Sequence, residues 1–212
     1  MTDPVMTHPS SDTRNSSPSS LVVYAILAIG LAIFIRFFVA APYIVSGASM
    51  EPTFFDLHYL IVDRITYDFS EPKRGDVIVF DLPQNTSRAL IKRVIGLPGE
   101  TVVLDGNQVR IINASYPDGF ILSEPYLAPE DLGGATGMRV TLKQGEYFVL
   151  GDNRRVSADS RIWGTLPKED IVGRVFFRLF PFTKIELLPG EERYSGDTGA
   201  SNQIPATSTN TY

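Results

Sequence analysis

Residues 74–99 read RGDVIVFDLPQNTSRALIKRVIGLPG, and this stretch decides the fold class. Val, Ile and Phe are enriched in the runs 76–82 and 90–97, which is the composition of β-strands. An Arg-Gly pair precedes the first run and a Pro-Gly pair closes the second, as turn residues do. We therefore predict two strands here and, together with the segments around them, an all-β domain built of antiparallel sheet.

The other predicted strands show the same enrichment and lie at 59–62, 101–113, 140–150 and 171–188. The pair Asp105-Gly106, typical of a tight primed turn, predicts that the second of these segments is a hairpin. The pair Gln144-Gly145 predicts another hairpin in the third, and the fourth is expected to form the last strand or a pair of strands. Residues 113–137 are rich in Pro and Gly and are expected to form a surface excursion or a small subdomain.

Residues 21–41 form the one apolar run of membrane length, and they predict a single N-terminal transmembrane helix. Arg36 lies near the end of this run, from where its guanidinium can reach the lipid interface. A cleaved signal peptide is the alternative, but its apolar core is usually only about 7 to 15 residues long. The flanking segments 1–20 and 191–212 are polar and expected to be disordered, which leaves 42–190 for the β-domain.

The composition excludes several classes of site. The 212 residues include no Cys, which rules out a disulfide framework, a Cys/His zinc site and a thiol nucleophile. A net charge of -5 with scattered Lys and Arg argues against nucleic-acid binding. Of the two His residues, His8 lies in the polar tail, so a Ser-His-Asp triad has His58 as its single candidate.

A candidate nucleophile lies just after the apolar run, where residues 46–53 read SGASMEPT. Ser49 is the hydroxyl in the middle of this segment, Gly47 and Ala48 leave space for another backbone, and Pro52 fixes the exit of the chain. A serine in such a segment is either a nucleophile or an ordinary turn residue. Because a serine hydroxyl attacks well only when a base takes its proton, the two interpretations differ in whether a base is present.

Lys92 is the candidate base, and it lies inside the predicted strand 90–97. Side chains alternate across a strand, so Lys92 points towards the interior if Arg93 points to solvent. A lysine is normally protonated at neutral pH, but burial among apolar groups can lower its pKa by several units from about 10.4. The alternative is a lysine at a strand edge whose amine reaches water.

A third candidate segment is the polar stretch 151–164, GDNRRVSADSRIWG. Asp159 and Arg161 are spaced to form a bidentate ion pair that would stiffen it. Ser157 is then available to present its hydroxyl to the lysine amine, as the third member of a triad does. The alternative is a solvated loop that contains several capping residues.

The order and content of these segments resemble the type I signal peptidases, of the bacterial serine/lysine kind. The motifs that carry the resemblance are SGASMEPT at 46–53, RGDVIVF at 74–80, IKRVIGLPGE at 91–100 and GDNRRVSADSRIWG at 151–164. The resemblance covers the apolar run and nearly all of residues 43–177. It implies a membrane-anchored, antiparallel β-sheet catalytic domain with one N-terminal transmembrane helix.

The resemblance also implies roles for individual residues. Ser49 would be the acylated nucleophile and Lys92 the general base. Ser157 would orient the lysine, and Asp159 and Arg161 would form the pair that supports the loop. The cleft that holds an extended substrate is expected to be lined by Tyr43, Val45, Met50, Phe54, Leu60, Val79, Leu90 and Ile91. No metal and no cofactor are implied.

Two positions depart from the family pattern. In some members a serine two residues before the nucleophile donates to the oxyanion, whereas this chain has Gly47 there. The backbone N–H of Ser49 is therefore expected to be the main oxyanion donor. Arg155 stands where an acidic residue is common, and the sequence alone assigns no effect to this difference.

By resemblance, the chain is expected to be a membrane-bound endopeptidase that removes signal peptides from exported precursor proteins, cutting after small residues in Ala-x-Ala sites. The expected partners are these precursors, the lipid bilayer and a nearby export translocon, with the catalytic domain outside the bacterial plasma membrane. Two alternatives remain. One is a self-cleaving repressor protease, whose DNA-binding module this chain lacks, and the other is a tethered β-domain that binds peptides or partner proteins without cutting them.

Overall fold

The structure, a computed structural model, describes residues 18–34, 39–82, 85–133 and 137–194. Its α-helices are α1 (Pro18–Phe34), α2 (Thr66–Phe69) and α3 (Ser160–Trp163). Its strands are β1 (Ala40–Ile44), β2 (Tyr59–Asp63), β3 (Val77–Leu82), β4 (Asn85–Gly96), β5 (Thr101–Asp105), β6 (Gln108–Ile112), β7 (Phe120–Ile121), β8 (Met138–Thr141), β9 (Glu146–Leu150), β10 (Leu166–Pro167), β11 (Ile171–Phe180) and β12 (Glu186–Leu187). The described residues therefore form mostly antiparallel β-sheet with few helices, as predicted.

Within the described residues, eight strands form one large antiparallel sheet in the order β1-β2-β11-β3-β4-β9-β10, with β12 paired to β11. The two strands predicted within 74–99 lie in its middle, where β3 pairs with β4 and Ile78 lies opposite Lys92. Gly75 forms the turn before β3 with a φ of 91°, a conformation that glycine adopts without strain.

A second, four-stranded sheet in the order β7-β6-β5-β8 is formed within residues 101–141. The predicted hairpin at 101–113 is confirmed, because β5 pairs with β6 and Gly106 takes a φ of 59° in the turn. The predicted hairpin at 140–150 is wrong, because β8 pairs with β5 whereas β9 pairs with β4 and β10. Turn residues allow the chain to reverse, but they do not decide which strand each arm pairs with.

Both faces of the middle of the large sheet are covered by apolar side chains. On β3, Val77 and Val79 pack in one buried cluster, whereas Ile78 and Phe80 pack in another. A third cluster joins the small sheet to the large one through residues such as Ile95. Because neither face of β3 meets water, an unbroken apolar run is stable here in place of an alternating one.

The N-terminal end differs from the expected boundary. Helix α1 overlaps the expected span 21–41, but residues 35–38 lie outside the described part, and Ala40 and Ala41 belong to β1. In the part of the chain that the structure describes, no helix combines the length and hydropathy needed to cross a bilayer.

The C-terminal end also differs, because residues 191–194 were expected to be disordered. Tyr194 packs against the core of the small sheet, and its hydroxyl donates to the carbonyl oxygen of Ser123 at 3.0 Å. The rest of the two expected tails, residues 1–17 and 195–212, lies outside the described residues.

Candidate active site

The loop that carries Ser49 connects β1 to β2 and is closed by backbone hydrogen bonds. The N–H of Val45 donates to the carbonyl oxygen of His58 at 2.9 Å. Gly47 takes a φ of 91°, and its N–H donates to Oδ1 of Asp56 at 2.8 Å. These contacts hold Ser49 in a compact loop at the end of β1.

Lys92, on β4, brings its amine to the Ser49 hydroxyl, and its Nζ lies 2.8 Å from Ser49 Oγ. The amine also donates to the carbonyl oxygen of Ile91 at 2.8 Å, and the residue is only 3% exposed. Burial lowers the pKa of Lys92 from 10.5 to about 8, against the opposing attraction of the Asp159 and Asp152 carboxylates. An appreciable fraction of this amine is therefore neutral near neutral pH, which a general base requires.

The polar loop after β9 is stiffened by one ion pair. Arg161 donates from Nε to Asp159 Oδ1 at 2.8 Å and from Nη2 to Oδ2 at 2.9 Å, so the bidentate geometry expected from the sequence is present. Asp159 also accepts from the N–H of Gly151 at 3.0 Å. Arg161 further donates to the carbonyl oxygens of Gly133 and Arg154, at 2.9 and 2.8 Å. One charged pair thus links several turns of this loop and joins the loop to Gly133.

The same polar loop contacts the Ser49 loop through backbone atoms. The N–H of Asn153 donates to the carbonyl oxygen of Ser49 at 3.1 Å. Gly151 lies so close that a methyl group there would overlap this carbonyl oxygen and the side chain of Ser157. Only glycine permits this approach between the two backbones.

Ser157 lies beside the Ser49 loop without the hydrogen bond to Lys92 that the sequence predicts. Ser157 is buried, and its Oγ has no hydrogen-bond partner among the described residues. The Lys92 amine instead contacts Ser49 and the Ile91 carbonyl oxygen. A buried hydroxyl without a partner is uncommon and remains able to bond a group that enters the site.

Arg93 does not point to solvent, which corrects the assumption used to place Lys92 inside. Arg93 is fully buried (0% exposed) because the second face of β4 is covered as well. It donates from Nε and Nη2 to Asp152, at 2.8 and 2.6 Å, and its guanidinium lies 3.8 Å from the centre of the Tyr126 ring. Sequence reasoning missed this pair, and the available signal was an arginine between apolar strand residues together with an aspartate in the polar loop.

An apolar cleft of about 90 Å³ opens beside Ser49 and Lys92. Of the residues expected to line it, the structure brings together Tyr43, Val45, Leu60, Val79, Leu90 and Ile91. Sequence reasoning missed three further lining residues, which are Ile44, Ser46 and Ala89. Met50 and Phe54 do not line the cleft, because both are fully buried in the apolar core.

The positions that depart from the family pattern lie around this site. The N–H of Gly47 is engaged by Asp56, whereas the N–H of Ser49 has no acceptor among the described residues. Arg155 is exposed and donates to the carbonyl oxygen of Glu130 at 3.2 Å. The structure therefore leaves the Ser49 amide available and keeps Arg155 at the surface.

His58, the single candidate for a triad histidine, is engaged away from Ser49. Its ring packs edge-on against Phe55, and Nδ1 accepts from the Phe55 N–H at 3.4 Å. Burial and the nearby cations Arg178 and Lys184 lower the pKa of His58. Across the described ranges, no group of three or more His, Asp or Glu residues is arranged to hold a metal ion.

Comparisons with known proteins agree with the motifs. The family model described as signal peptidase, peptidase S26, matches residues 19–180. The chain is 39% identical over 165 residues to a probable signal peptidase I-1 of Synechocystis sp., covering 74% of this chain and 80% of that one. It is 36% identical over 189 residues to signal peptidase I of Bacillus licheniformis, covering 85% of this chain and 98% of that one. A crystal structure of a signal peptidase I from Enterococcus faecalis is 33% identical, with a TM-score of 0.42 over 50% of this chain and 97% of that one.

Proposed function

This chain belongs to the signal peptidase family, peptidase S26, and from that membership we propose that it is a membrane-bound serine endopeptidase that removes signal peptides from exported precursor proteins. Ser49 is the nucleophile, Lys92 is the general base, and cleavage follows small residues in Ala-x-Ala sites. The observation that carries the proposal is the 2.8 Å separation of Lys92 Nζ from Ser49 Oγ, at a lysine that is 3% exposed.

The precursor binds in extended form along the apolar cleft, where it adds a strand to the sheet. Residues of β1 line one part of this cleft and residues of β4 line another, so both offer backbone beside Ser49. The cleft volume of about 90 Å³ is well below the roughly 300–1,000 Å³ of typical ligand pockets. This supports selection of small side chains next to the cut.

In the acylation step, the neutral amine of Lys92 accepts the Ser49 proton while Oγ attacks the carbonyl carbon of the scissile peptide. The backbone N–H of Ser49 donates to the oxyanion that forms. The Lys92 ammonium then gives its proton to the departing amine as the C–N bond breaks. This leaves an ester between Ser49 and the signal peptide, and it releases the mature protein.

In the deacylation step, a water molecule attacks the ester carbonyl as the neutral Lys92 amine accepts one of its protons. The proton passes to Ser49 Oγ as the ester bond breaks, which restores both residues. The pair of Asp159 and Arg161 supports the loop on which Ser157 lies, and Ser157 orients the Lys92 amine when substrate excludes water. This is the serine/lysine variant of triad chemistry.

The proposal extends to a single-pass anchor that begins at residue 21 and ends before β1, in a bacterial plasma membrane, with the catalytic domain on the extracytoplasmic side and close to an export translocon. The anchor is supported by α1, whose apolar side chains, such as Leu21, Ile26 and Leu31, are exposed in the described chain. Contact with lipid would remove this apolar surface from water. Release of the full-length chain into the supernatant by alkaline extraction of membranes would contradict the anchor.

The test of the activity uses the full chain in detergent micelles and a precursor with an Ala-x-Ala site. We expect Ser49→Ala and Lys92→Ala each to lower the cleavage rate by at least about 10³-fold, because the nucleophile and its base act as one unit. The matched control is Lys143→Ala, which removes a lysine whose side chain is 85% exposed and should leave the rate unchanged.

Two outcomes would overturn the proposal. Undiminished cleavage by Lys92→Ala would remove the lysine base. Binding of the precursor by the wild-type chain without any cleavage would instead favour the tethered, non-catalytic β-domain.

A further inference from the structure

Thr53 lies four residues after Ser49, and three segments from distant parts of the chain meet on it. Its Oγ1 donates to Asp152 Oδ2 at 2.6 Å, and its carbonyl oxygen accepts from Arg178 Nη1 at 2.8 Å. Its methyl group faces Gly190, where an added side chain would overlap it. The hydroxyl and the carbonyl oxygen of Thr53 are thus each hydrogen-bonded to a distant part of the chain.

The Asp152 contact connects Thr53 to the strand that carries Lys92. Asp152 accepts from Arg93 at 2.8 and 2.6 Å, and both side chains of this ion pair are buried. Arg93 follows Lys92 directly on β4. One carboxylate therefore joins the Ser49 loop to the residue next to the proposed base.

The Arg178 contact holds the same loop from β11. Arg178 is buried, its guanidinium lies 5.3 Å from the centre of the Phe54 ring, and it forms an ion pair with Glu186 of β12. Its Nε donates to the carbonyl oxygen of Lys184 at 2.9 Å. The Arg178 guanidinium is therefore held by contacts other than the one to Thr53. It cannot follow a displaced Ser49 loop without breaking them.

Residues 188–194, here called the C-terminal strap, form the third contact of Thr53. The carbonyl oxygen of Gly190 accepts from Arg93 Nη1, and Gly190 has a φ of 70°. The Glu192 N–H donates to the Gly75 carbonyl oxygen at 3.4 Å. The strap thus lies against Arg93 and Thr53 together.

Movement of Thr53 is transmitted to Ser49 because the chain between them is tightly turned. The N–H of Glu51 donates to the Ala48 carbonyl oxygen at 3.2 Å, and the N–H of Phe54 donates to that of Met50 at 2.8 Å. Met50 and Phe54 are also fully buried, so we expect a shift of Thr53 to displace Ser49 as well.

We propose that Thr53 is a positioning residue, which holds the Ser49 hydroxyl against the Lys92 amine by fixing the Ser49 loop to Asp152, Arg178 and the C-terminal strap. The inference rests on the proposed peptidase function. A misplacement of about 1 Å at a reacting group can reduce a rate by about 100-fold, so small shifts of Thr53 have a measurable effect.

The first test compares Thr53→Val, which keeps the shape and loses the hydroxyl, with Thr53→Ser, which keeps the hydroxyl. In the full chain we expect Thr53→Val to lower kcat by about 10- to 100-fold with KM nearly unchanged. Thr53→Ser should retain the wild-type kcat. The matched control is Thr66→Val, which removes a hydroxyl on α2 that donates to Asp63 of β2 and should leave kcat unchanged. A Thr53→Val variant that is less thermostable but keeps the wild-type kcat would overturn the proposal.

A second pair of variants tests the same contact if Thr53→Val does not fold. Gly190→Ala introduces a methyl group that overlaps the Thr53 methyl, and we expect it to lower kcat. Adding Thr53→Ser removes the overlapped methyl and keeps the hydroxyl, whereas the strain of alanine at a φ of 70° remains, so the double variant should recover part of the lost kcat. An unchanged kcat in Gly190→Ala, or no recovery in the double variant, would overturn the proposal.

A third measurement needs no substrate and therefore separates this inference from the proposed function. The pKa of Lys92 is read from the titration of its ¹³Cε resonance in lysine-labelled full chain, assigned with Lys92→Ala. Loosening of the Ser49 loop hydrates the amine, so Thr53→Val should raise this pKa by at least about half a unit, whereas Thr66→Val should not. Absence of cleavage by the wild-type chain would overturn the proposed function alone. An unchanged pKa of Lys92 in Thr53→Val would overturn the positioning role.

Discussion

Lys92 and Arg93 are adjacent on β4 and both are buried, yet their surroundings favour different charge states. Burial alone would lower the pKa of Arg93, but the Asp152 carboxylate bonded to it raises that pKa instead. No carboxylate hydrogen bonds to Lys92 among the described residues, and burial lowers its pKa to about 8. Of two buried cations, only Lys92 is therefore able to give up a proton near neutral pH.

The pH dependence of cleavage follows from this difference. We expect kcat/KM to rise with pH and to reach half its maximum near pH 8, because only the neutral amine of Lys92 in the free enzyme can accept the Ser49 proton. The direction follows from burial, which disfavours the ammonium and moves deprotonation below the value of about 10.4 for free lysine. The measurement is the initial rate of precursor cleavage across the titration range of lysine.

The control for this profile is Lys168→Ala, which removes a partly exposed lysine paired with Glu71 and should leave the midpoint in place. A rising limb that appears only at about pH 10 would mean that Lys92 is hydrated like a free lysine. The buried-base mechanism would then be lost.

At the scale of elements, the strands supply the framework and carry Lys92, and two loops carry Ser49 and the residues proposed to support the site. The Ser49 loop joins neighbouring strands β1 and β2, whereas the loop that holds Asp159 follows β9 on the other side of β4. The two loops meet where Asn153 donates to the Ser49 carbonyl oxygen. Gly151 lies at this contact and has no side chain, so the two backbones can approach closely. A larger residue at position 151 would change the relative position of the two loops.

We expect Gly151→Ala to lower kcat by about 10- to 100-fold, because the added methyl group overlaps the Ser49 carbonyl oxygen and Ser157, and pushes the two loops apart. The matched control is Gly30→Ala on α1, where a methyl group meets no atom within 4 Å. Steady-state kinetics of the three chains, with thermal unfolding alongside, is the measurement. Equal kcat values in wild type and Gly151→Ala would show that the approach of these loops does not set the reacting geometry.

At the scale of the whole molecule, a buried ion pair joins the two sheets. Arg74, in the turn before β3, contacts Glu100, between β4 and β5, at 2.6 and 2.9 Å. Glu100 also accepts from the Leu97 N–H at 2.9 Å and from Asn113 Nδ2 at 3.0 Å. The carboxylate thus connects the large sheet with the start and the end of the β5–β6 hairpin.

Removing this carboxylate should destabilise the fold more than it affects the site. We expect Glu100→Ala to lower the free energy of unfolding by about 3–5 kcal/mol, because it leaves the Arg74 guanidinium buried without its partner. The measurement is denaturant unfolding of the full chain in micelles, followed by the fluorescence of the single tryptophan, Trp163.

The control is Lys143→Ala, which breaks an exposed pair with Glu146 and should change the free energy of unfolding by less than about 1 kcal/mol. A loss of equal size in both variants would mean that Arg74 finds water or another partner when Glu100 is removed.

Several features of this protein could be predicted from its sequence because they depend on neighbouring residues. Apolar runs bounded by turn residues predicted β3 and β4, and Asp105-Gly106 predicted the β5–β6 hairpin. The short spacing of Asp159 and Arg161 predicted a bidentate pair. In each case the residues that matter lie within a few positions of each other, so local geometry suffices.

Other features were decided by contacts between distant segments. Periodicity does not show whether the second face of a strand is covered, so the burial of Arg93 and its pairing with Asp152 could not be read from β4 alone. The choice of β5 as the partner of β8, and the packing of Met50 and Phe54 in the core, likewise depend on which surfaces meet. The sequence by itself predicted several of the strands, such as β3 and β4, and the candidate pair Ser49 and Lys92. Only the tertiary structure decided which of them touch, because burial and pairing are set by surfaces that the chain brings together over long distances.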